Sequence, residues 1–159
     1  MSEKAEETVS APAARSRGRR RVSSEDGAAN AAVGAWGEDA AAEFLCARGW
    51  SIIERNARPC ARDRRCEIDI VAQPSDPGKV VFVEVKTHAR REESAGRLAG
   101  VDANKKRNLL RACANWVMRR RWHGDFRLDV VEVYGSPGAA PSIDHVENVP
   151  LFPPKWRFW

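Results

Sequence analysis

Two short apolar segments on either side of a turn-rich loop carry charged residues where a buried strand would normally have none. The segments CEIDIVA (66–72) and VVFVEVK (80–86) flank QPSDPGK (73–79), which is dense in turn-forming residues. Both segments are too apolar for edge strands, so we predict that they pair as a hairpin inside a sheet. Glu84 and Lys86 are two residues apart and therefore point to the same face of their strand.

The position of the turn predicts which residues of the hairpin face each other. With the loop centred between Asp76 and Pro77 and no bulge, the opposed pairs are Asp69 with Glu84, Glu67 with Lys86, and Val71 with Phe82. Directly opposed side chains have Cβ atoms about 4.5–5.5 Å apart, so the four ionisable groups share one patch. The same alternation predicts a second face made of Cys66, Ile68, Ile70 and Ala72.

Two carboxylates opposed in this way are unfavourable unless a cation joins them. One interpretation is structural, with Glu67 and Lys86 in a cross-strand ion pair and the other two acids hydrated. The other interpretation is a Mg²⁺ site in which Asp69 and Glu84 supply hard oxygen ligands. A lysine beside such a site can orient water or stabilise charge on a phosphate, so the pattern favours phosphodiester hydrolysis.

The rest of the chain predicts a mixed α/β domain with helices covering a central sheet. A helical period begins at Val33 and ends before Gly49, which suits a helix C-terminal cap. The further predicted elements are a strand at 51–56, a helix at 102–121, a strand at 125–134 and a short closing strand within 143–152. Residues 1–32 mix Ala, Ser, Gly and Arg and are predicted to form a disordered tail before a domain at 33–159.

Composition narrows the class of protein. The 159 residues suit one domain plus a tail, and the net charge of +5 is compatible with an anionic partner. No apolar run reaches the roughly 18 residues of a membrane span, and the N-terminus has no apolar signal segment, so we expect a cytoplasmic protein without a membrane partner.

The four cysteines are expected to be reduced thiols, and the spacing of Cys60 and Cys66 matches no common zinc motif.

The order of acids and lysine resembles a known nuclease pattern. Asp69 followed by Glu84-Val85-Lys86 resembles the PD-(D/E)XK nuclease superfamily. The segments GAWGEDAAAEFLCARGWSIIERNAR, EIDIVA, VVFVEVKT and GVDANKKRNLLRACANW occur in the order of the YraN-type family of predicted bacterial endonucleases, a resemblance that covers about 33–150. It implies a restriction-endonuclease-like fold and a Mg²⁺- or Mn²⁺-dependent endonuclease that acts on DNA, including branched DNA. Related Holliday-junction resolvases are dimers, so a homodimer is implied by analogy.

The resemblance also implies roles for residues beyond the hairpin pair. The family's GE-x-x-A motif begins at Gly37, and Glu38 is implied as a further catalytic and metal-site acid because a helical glutamate joins the metal in related resolvases. The family's G-E-I-D motif falls on 66–69, with Cys66 in place of the usual Gly and Glu67 as a supporting residue.

Two basic residues are candidates for contact with nucleic acid. Lys105 stands where the family has the basic residue that opens the second helix, and His88 stands where the family usually has Arg. Each also has a simpler interpretation as an exposed side chain. The loop PCARDRR (59–65) departs from the family because it is long and basic, which bears on substrate selection.

Three functions remain open from the sequence. The first is an endonuclease in which Asp69 and Glu84 hold the metal, Lys86 assists the water, and other acids support the site. The second is a nucleic-acid-binding or accessory protein that keeps the scaffold without cutting. The third is a subunit that binds a protein through its Trp-rich end (153–159), whose aromatic residues could instead stack on unpaired bases or pack on the domain.

Overall fold

A computed structural model describes residues 24–91 and 103–152 of the chain. The elements in these ranges are α1 (Ser24–Ala47), β1 (Ser51–Ala57), β2 (Ile68–Gln73), β3 (Lys79–His88), α2 (Ala103–Arg120), β4 (Asp125–Tyr134) and β5 (Ser142–Val146). Their order confirms the predicted mixed α/β class. Within the described ranges, no helix has the length and apolar character needed to span a membrane. The predicted roles of the Trp-rich end fall on 153–159, outside the described residues.

The five strands form one mixed sheet in the order β1-β2-β3-β4-β5. β3 and β4 are parallel, and the other neighbouring strands are antiparallel. A parallel pair needs a crossover connection, and α2 lies between β3 and β4 in the chain. The start of α2 therefore lies at the same end of the sheet as the carboxyl end of β3. This architecture is consistent with a restriction-endonuclease-like core.

The register between β2 and β3 confirms the predicted hairpin, but only over part of its length. Val71 lies opposite Phe82 as predicted, and the paired ladder stops at Ile70 and Val83. Beyond that point the Val85 N–H donates to Asp69 Oδ2 at 2.7 Å instead of to the β2 backbone. The side chain of Asp69 therefore separates the two strands where their charged residues begin.

The predicted opposition of Glu67 and Lys86 is wrong. β2 begins at Ile68, so Glu67 precedes the strand, and its Oε1 accepts a bond from Arg58 Nη2 at 3.0 Å. Lys86 pairs with Glu84 of its own strand. The physical reason is that regular pairing ends before these positions, so the register of the ladder no longer sets their neighbours.

Each face of the sheet carries its own hydrophobic core. One core packs α2 against the sheet around Phe82 and Trp116, and the other packs α1 against it around Leu45 and Val83. The predicted single face for Cys66, Ile68, Ile70 and Ala72 is wrong. Cys66 and Ile68 belong to the α2-side core, whereas Ile70 and Ala72 belong to the α1-side core, because the regular alternation does not continue past Asp69.

Helix α1 begins at Ser24 rather than at Val33, so residues 24–32 do not belong to a disordered tail. This stretch has few large apolar residues, which is why periodicity did not reveal it. Alanine has the highest helix propensity, and the acids Glu25 and Asp26 lie in the first turn, where the helix dipole favours them. The rest of the predicted tail, 1–23, lies outside the described residues. At the other end, Gly49 has the positive φ of 80° expected for its predicted capping position.

Helix α1 approaches the sheet closely at Gly37. A Cβ added there would overlap Thr87 Oγ1 and would lie 3.1 Å from Thr87 Cβ. A threonine side chain is stiff because it branches at Cβ, so it has little freedom to move away. Glycine at this position is therefore needed to bring α1 against the end of β3.

We expect Gly37→Ala to lower the free energy of unfolding by about 1–3 kcal/mol, since it overpacks a buried contact. Gly34→Ala is the matched control, because a Cβ at Gly34 has no atom within 4 Å. On the same helix it should be neutral or stabilise the protein by up to about 1 kcal/mol. Urea unfolding measures both, and equal effects of the two substitutions would contradict the close contact.

Candidate active site

An open cleft of about 340 Å³ lies at the carboxyl end of β3. Two helices and two strands line it, so each of its walls comes from a different element. Its polar lining consists of Asn30 and Glu38 of α1, Asp69 of β2, Glu84, Lys86 and Thr87 of β3, and Lys105 of α2. The structure thus brings together five of the predicted site residues, including the two carboxylates that the hairpin register placed on one face.

Glu84 is the most buried charged group of the cleft. It is 1% exposed, and its Oε1 lies 2.9 Å from Lys86 Nζ and 3.0 Å from Lys105 Nζ. Its Oε2 is buried and accepts no hydrogen bond from the described residues. A buried carboxylate is costly unless its oxygens are paired. The two lysines satisfy one oxygen, and the other has no partner among the described residues.

Asp69 completes a carboxylate pair with Glu84. Burial, together with the negative charge of Glu84, raises the pKa of Asp69 to about 7, although the bond from the Val85 N–H and the charge of Lys105 oppose the increase. Glu38 raises this pKa further, which places Glu38 within electrostatic range. The cleft thus concentrates negative charge in a partly desolvated space, which favours binding of a cation.

Lys105 lies in the first turn of α2, where a positive charge is unfavourable to the helix dipole. Its ion pair with Glu84 compensates for this placement. Burial lowers the pKa of Lys105, but the neighbouring Glu84 carboxylate outweighs burial and raises the pKa above its ordinary value. The ammonium group therefore stays charged and acts as a donor rather than as a base.

Glu38 lines the cleft but does not join the carboxylate pair directly. Its Oε2 accepts a hydrogen bond from Asn56 Nδ2 at 3.0 Å, and Asn56 has a positive φ of 49° near the end of β1. In residues 24–91 and 103–152, no group of three or more His, Cys, Asp or Glu side chains is arranged to hold a metal ion. A role for Glu38 at the metal stays a prediction.

Two predicted site residues do not line the cleft. Glu67 lies in the ion pair with Arg58 described above. The ring of His88 stacks on Tyr134, with centroids 5.3 Å apart. Their predicted supporting and nucleic-acid-binding roles stay predictions.

Sequence reasoning missed the part of the cleft that comes from the first half of α1. Asn30, Val33 and Gly34 line the cleft together with Glu38. The sequence signal for this part of the cleft was the interval of four residues from Asn30 to Gly34 and from Gly34 to Glu38, which places all three on one helix face. Because the predicted helix begins at Val33, it does not include Asn30.

The sequence of residues 37–133 matches the uncharacterised protein family UPF0102. The chain belongs to this family. The UPF0102 protein of Trichlorobacter lovleyi is 37% identical over 123 residues, which cover 77% of this chain and 92% of that relative. The UPF0102 protein of Methylococcus capsulatus is 41% identical over 117 residues, which cover 73% of this chain and 88% of that relative. The UPF0102 protein of Mycobacterium sp. strain JLS is 38% identical over 121 residues, which cover 75% of this chain and 85% of that relative. The YraN-type family predicted from the sequence is thereby confirmed.

The match to UPF0102 includes the cleft carboxylates and lysines. Glu38, Asp69, Glu84, Lys86 and Lys105 all fall within the matched range. Asn30 precedes it, so the first half of α1 contributes to the cleft from outside the family's matched segment.

The raised pKa of Asp69 predicts a specific pH dependence of stability in the metal-free protein. An acid whose folded-state pKa is raised favours the fold while it is protonated, and this contribution is lost as the pH rises through the folded-state pKa, here about 7. In EDTA, the unfolding free energy of Asp69→Asn minus that of wild type should therefore increase by about 1–3 kcal/mol as the pH rises from 5 to 8.

Denaturant unfolding across this pH range is the measurement. Asp39→Asn is the control, because Asp39 is exposed in a surface ion pair with Arg55. Parallel pH profiles of the unfolding free energy for wild type and Asp69→Asn would show that the pKa of the Asp69 carboxyl is not raised by folding.

Proposed function

We propose that this member of UPF0102 is a Mg²⁺- or Mn²⁺-dependent endonuclease of the PD-(D/E)XK superfamily that hydrolyses phosphodiester bonds in DNA. The observation that carries the proposal is the pair of carboxylates, buried Glu84 and half-buried Asp69, in one open cleft with Lys86 ion-paired to Glu84. The acid, acid and lysine of the sequence pattern thus meet in space, on the two strands that the hairpin prediction paired.

The donor set of the cleft fits a hard divalent cation. Asp69 and Glu84 would hold the ion, and Glu84 Oε2 has no hydrogen-bond donor among the described residues. Mg²⁺ needs only one or two protein carboxylates, because water and substrate phosphate complete its shell. When bound, such an ion supplies Lewis-acid polarisation of the phosphate and activation of the attacking water.

The two lysines have separate tasks in this proposal. Lys86 Nζ, held 2.9 Å from Glu84 Oε1, faces the cleft and is placed to orient water and to stabilise charge that builds on the phosphate. Lys105 approaches the same oxygen of Glu84 from α2 and remains protonated, so it anchors a phosphate oxygen. Both ammonium groups are fixed by the same carboxylate oxygen, which pre-organises them before substrate arrives.

A second candidate function is DNA binding without cutting on the same scaffold. It is favoured by the lack of a three-residue metal cluster in the described ranges and by the engagement of Glu84 Oε1 with two lysines. This alternative keeps the positive charges useful for phosphate binding and needs no metal. Metal-dependent cutting that requires Glu84 would separate the nuclease from this alternative.

We expect wild-type protein with Mg²⁺ or Mn²⁺ to cut at least one of supercoiled plasmid, single-stranded, flap or four-way-junction DNA. Glu84→Gln removes the negative charge at constant shape and should abolish the cutting. Glu54→Gln is the control, because Glu54 is a carboxylate of β1 bonded to Arg120, outside the cleft. Gel assays of each DNA with and without EDTA measure the activity. Equal cutting by wild type and Glu84→Gln would exclude the proposed site, and binding without cutting would favour the alternative.

Lys86→Met should reduce the cleavage rate by about 10²–10³-fold, since it removes one preorganised charge from the transition state. Its effect on Mn²⁺ affinity, measured by calorimetry, should be small because lysine is not a ligand. Lys79→Met is matched in residue type and strand, and Lys79 lies at the opposite end of β3 beside Asp76. A loss of rate in both lysine variants would assign the effect to charge on the strand rather than to the site.

A further inference from the structure

The two helices that flank the cleft have opposite charge. The described sequence of α1 has five acidic residues and no basic ones, whereas that of α2 has six basic residues and no acidic ones. They cover opposite faces of the sheet, since α1 and α2 contribute to different cores. A polyanion that reaches the cleft is therefore attracted on the α2 side and repelled on the α1 side.

The loop between β1 and β2 extends the positive charge of α2. Asp63 at its centre is the anchor, because its Oδ1 lies 3.0 Å from Arg65 Nε and its Oδ2 lies 3.0 Å from Arg111 Nη1 of α2. Arg119 of α2 also donates to the Pro59 carbonyl at 3.0 Å. The side-chain bonds of Arg65 hold the pKa of Asp63 at about 2, with help from Arg111, so this anchor stays ionised. The basic loop is thus attached to the helix.

The loop and the helix that it contacts together carry the basic surface, made of Arg62, Arg64, Arg65, Lys105 and Arg111. Arg62 and Arg64 have no ion-pair partner in the described parts of the chain, and the Arg65 side chain is 77% exposed. Lys105 and Arg111 are six positions apart, which is about 9 Å along a helix and about 120° around it. Lys105 therefore faces the cleft at Glu84, whereas Arg111 faces the loop at Asp63.

The basic surface begins at the cleft. Lys105 lines the cleft and contacts Glu84, so it belongs to both features. The loop starts where Ala57 pairs with Ile68, one residue before Asp69 of the carboxylate pair. Glu67 at the end of the loop also raises the pKa of Lys105, which places the loop and the start of α2 side by side.

We propose that the basic surface binds the phosphate backbone of a DNA duplex arm that flanks the scissile bond. This inference rests on the proposed function, because it takes DNA as the substrate and assigns the side on which it lies. The arm crosses the start of α2 and the 58–65 loop and avoids the acidic helix α1. Arginine forks at exposed positions suit phosphate oxygens, and contacts of this kind do not depend on base sequence.

The test is binding of a fluorescent DNA duplex of about 20 base pairs in EDTA, measured by anisotropy at several salt concentrations. Arg62→Gln with Arg64→Gln should weaken binding at least about tenfold and lower the slope of log K against log salt by about 2. The control is Lys79→Gln with Arg121→Gln, which removes the same charge at the other end of the sheet. Thermal unfolding verifies that both double variants fold.

A selective loss in the loop variant supports the inference, and it does so whether or not the protein cuts DNA. Equal binding by wild type and the loop variant, or an equal loss in the control, overturns it. Absence of duplex binding by the wild type overturns it as well. Failure of the proposed function has a different result, namely the absence of metal-dependent cutting that requires Glu84, so the two outcomes are separable.

Discussion

The burial of the Glu84 carboxylate is the interaction on which the candidate site depends. A carboxylate that is 1% exposed is tolerated only when positive charge compensates for lost hydration, and Lys86 and Lys105 supply that charge at one oxygen. Because Lys105 comes from α2, the same contact joins the crossover helix to β3. The site and the packing of α2 therefore share one electrostatic requirement, and the second oxygen of Glu84 has no hydrogen-bond donor among the described residues.

The separation of β2 from β3 creates the space in which this chemistry is proposed. Asp69 replaces a backbone acceptor for the Val85 N–H, so the strands stay connected while their ladder ends. Gly37 lets α1, which lines one side of the cleft, lie against β3, since only a residue without Cβ lets the helix approach Thr87 so closely. The cleft thus results from two local departures from regular packing, and functional sites often show such departures.

The two faces of the sheet are covered by helices of opposite charge. The acidic α1 and the basic α2 lie on opposite faces of the sheet and meet at the cleft. The modest net charge of +5 does not reveal this, because the two helices largely offset each other. The 58–65 loop adds to the basic side because Asp63 and Pro59 attach it to Arg111 and Arg119 of α2. Its proposed role in DNA binding therefore depends on tertiary contacts.

The sequence by itself determined the α/β class, the pairing of Val71 with Phe82 and the helix cap at Gly49, because these follow from local periodicity and turn chemistry. The order of its motifs determined the family. It also placed Asp69 and Glu84 together at the end of the hairpin. Only the tertiary structure decided that the pairing of β2 with β3 ends at Ile70, that Glu67 turns to Arg58, and that Lys105 reaches Glu84. These contacts join residues far apart in the chain, and their energies depend on burial and on opposing charge, which no local pattern encodes.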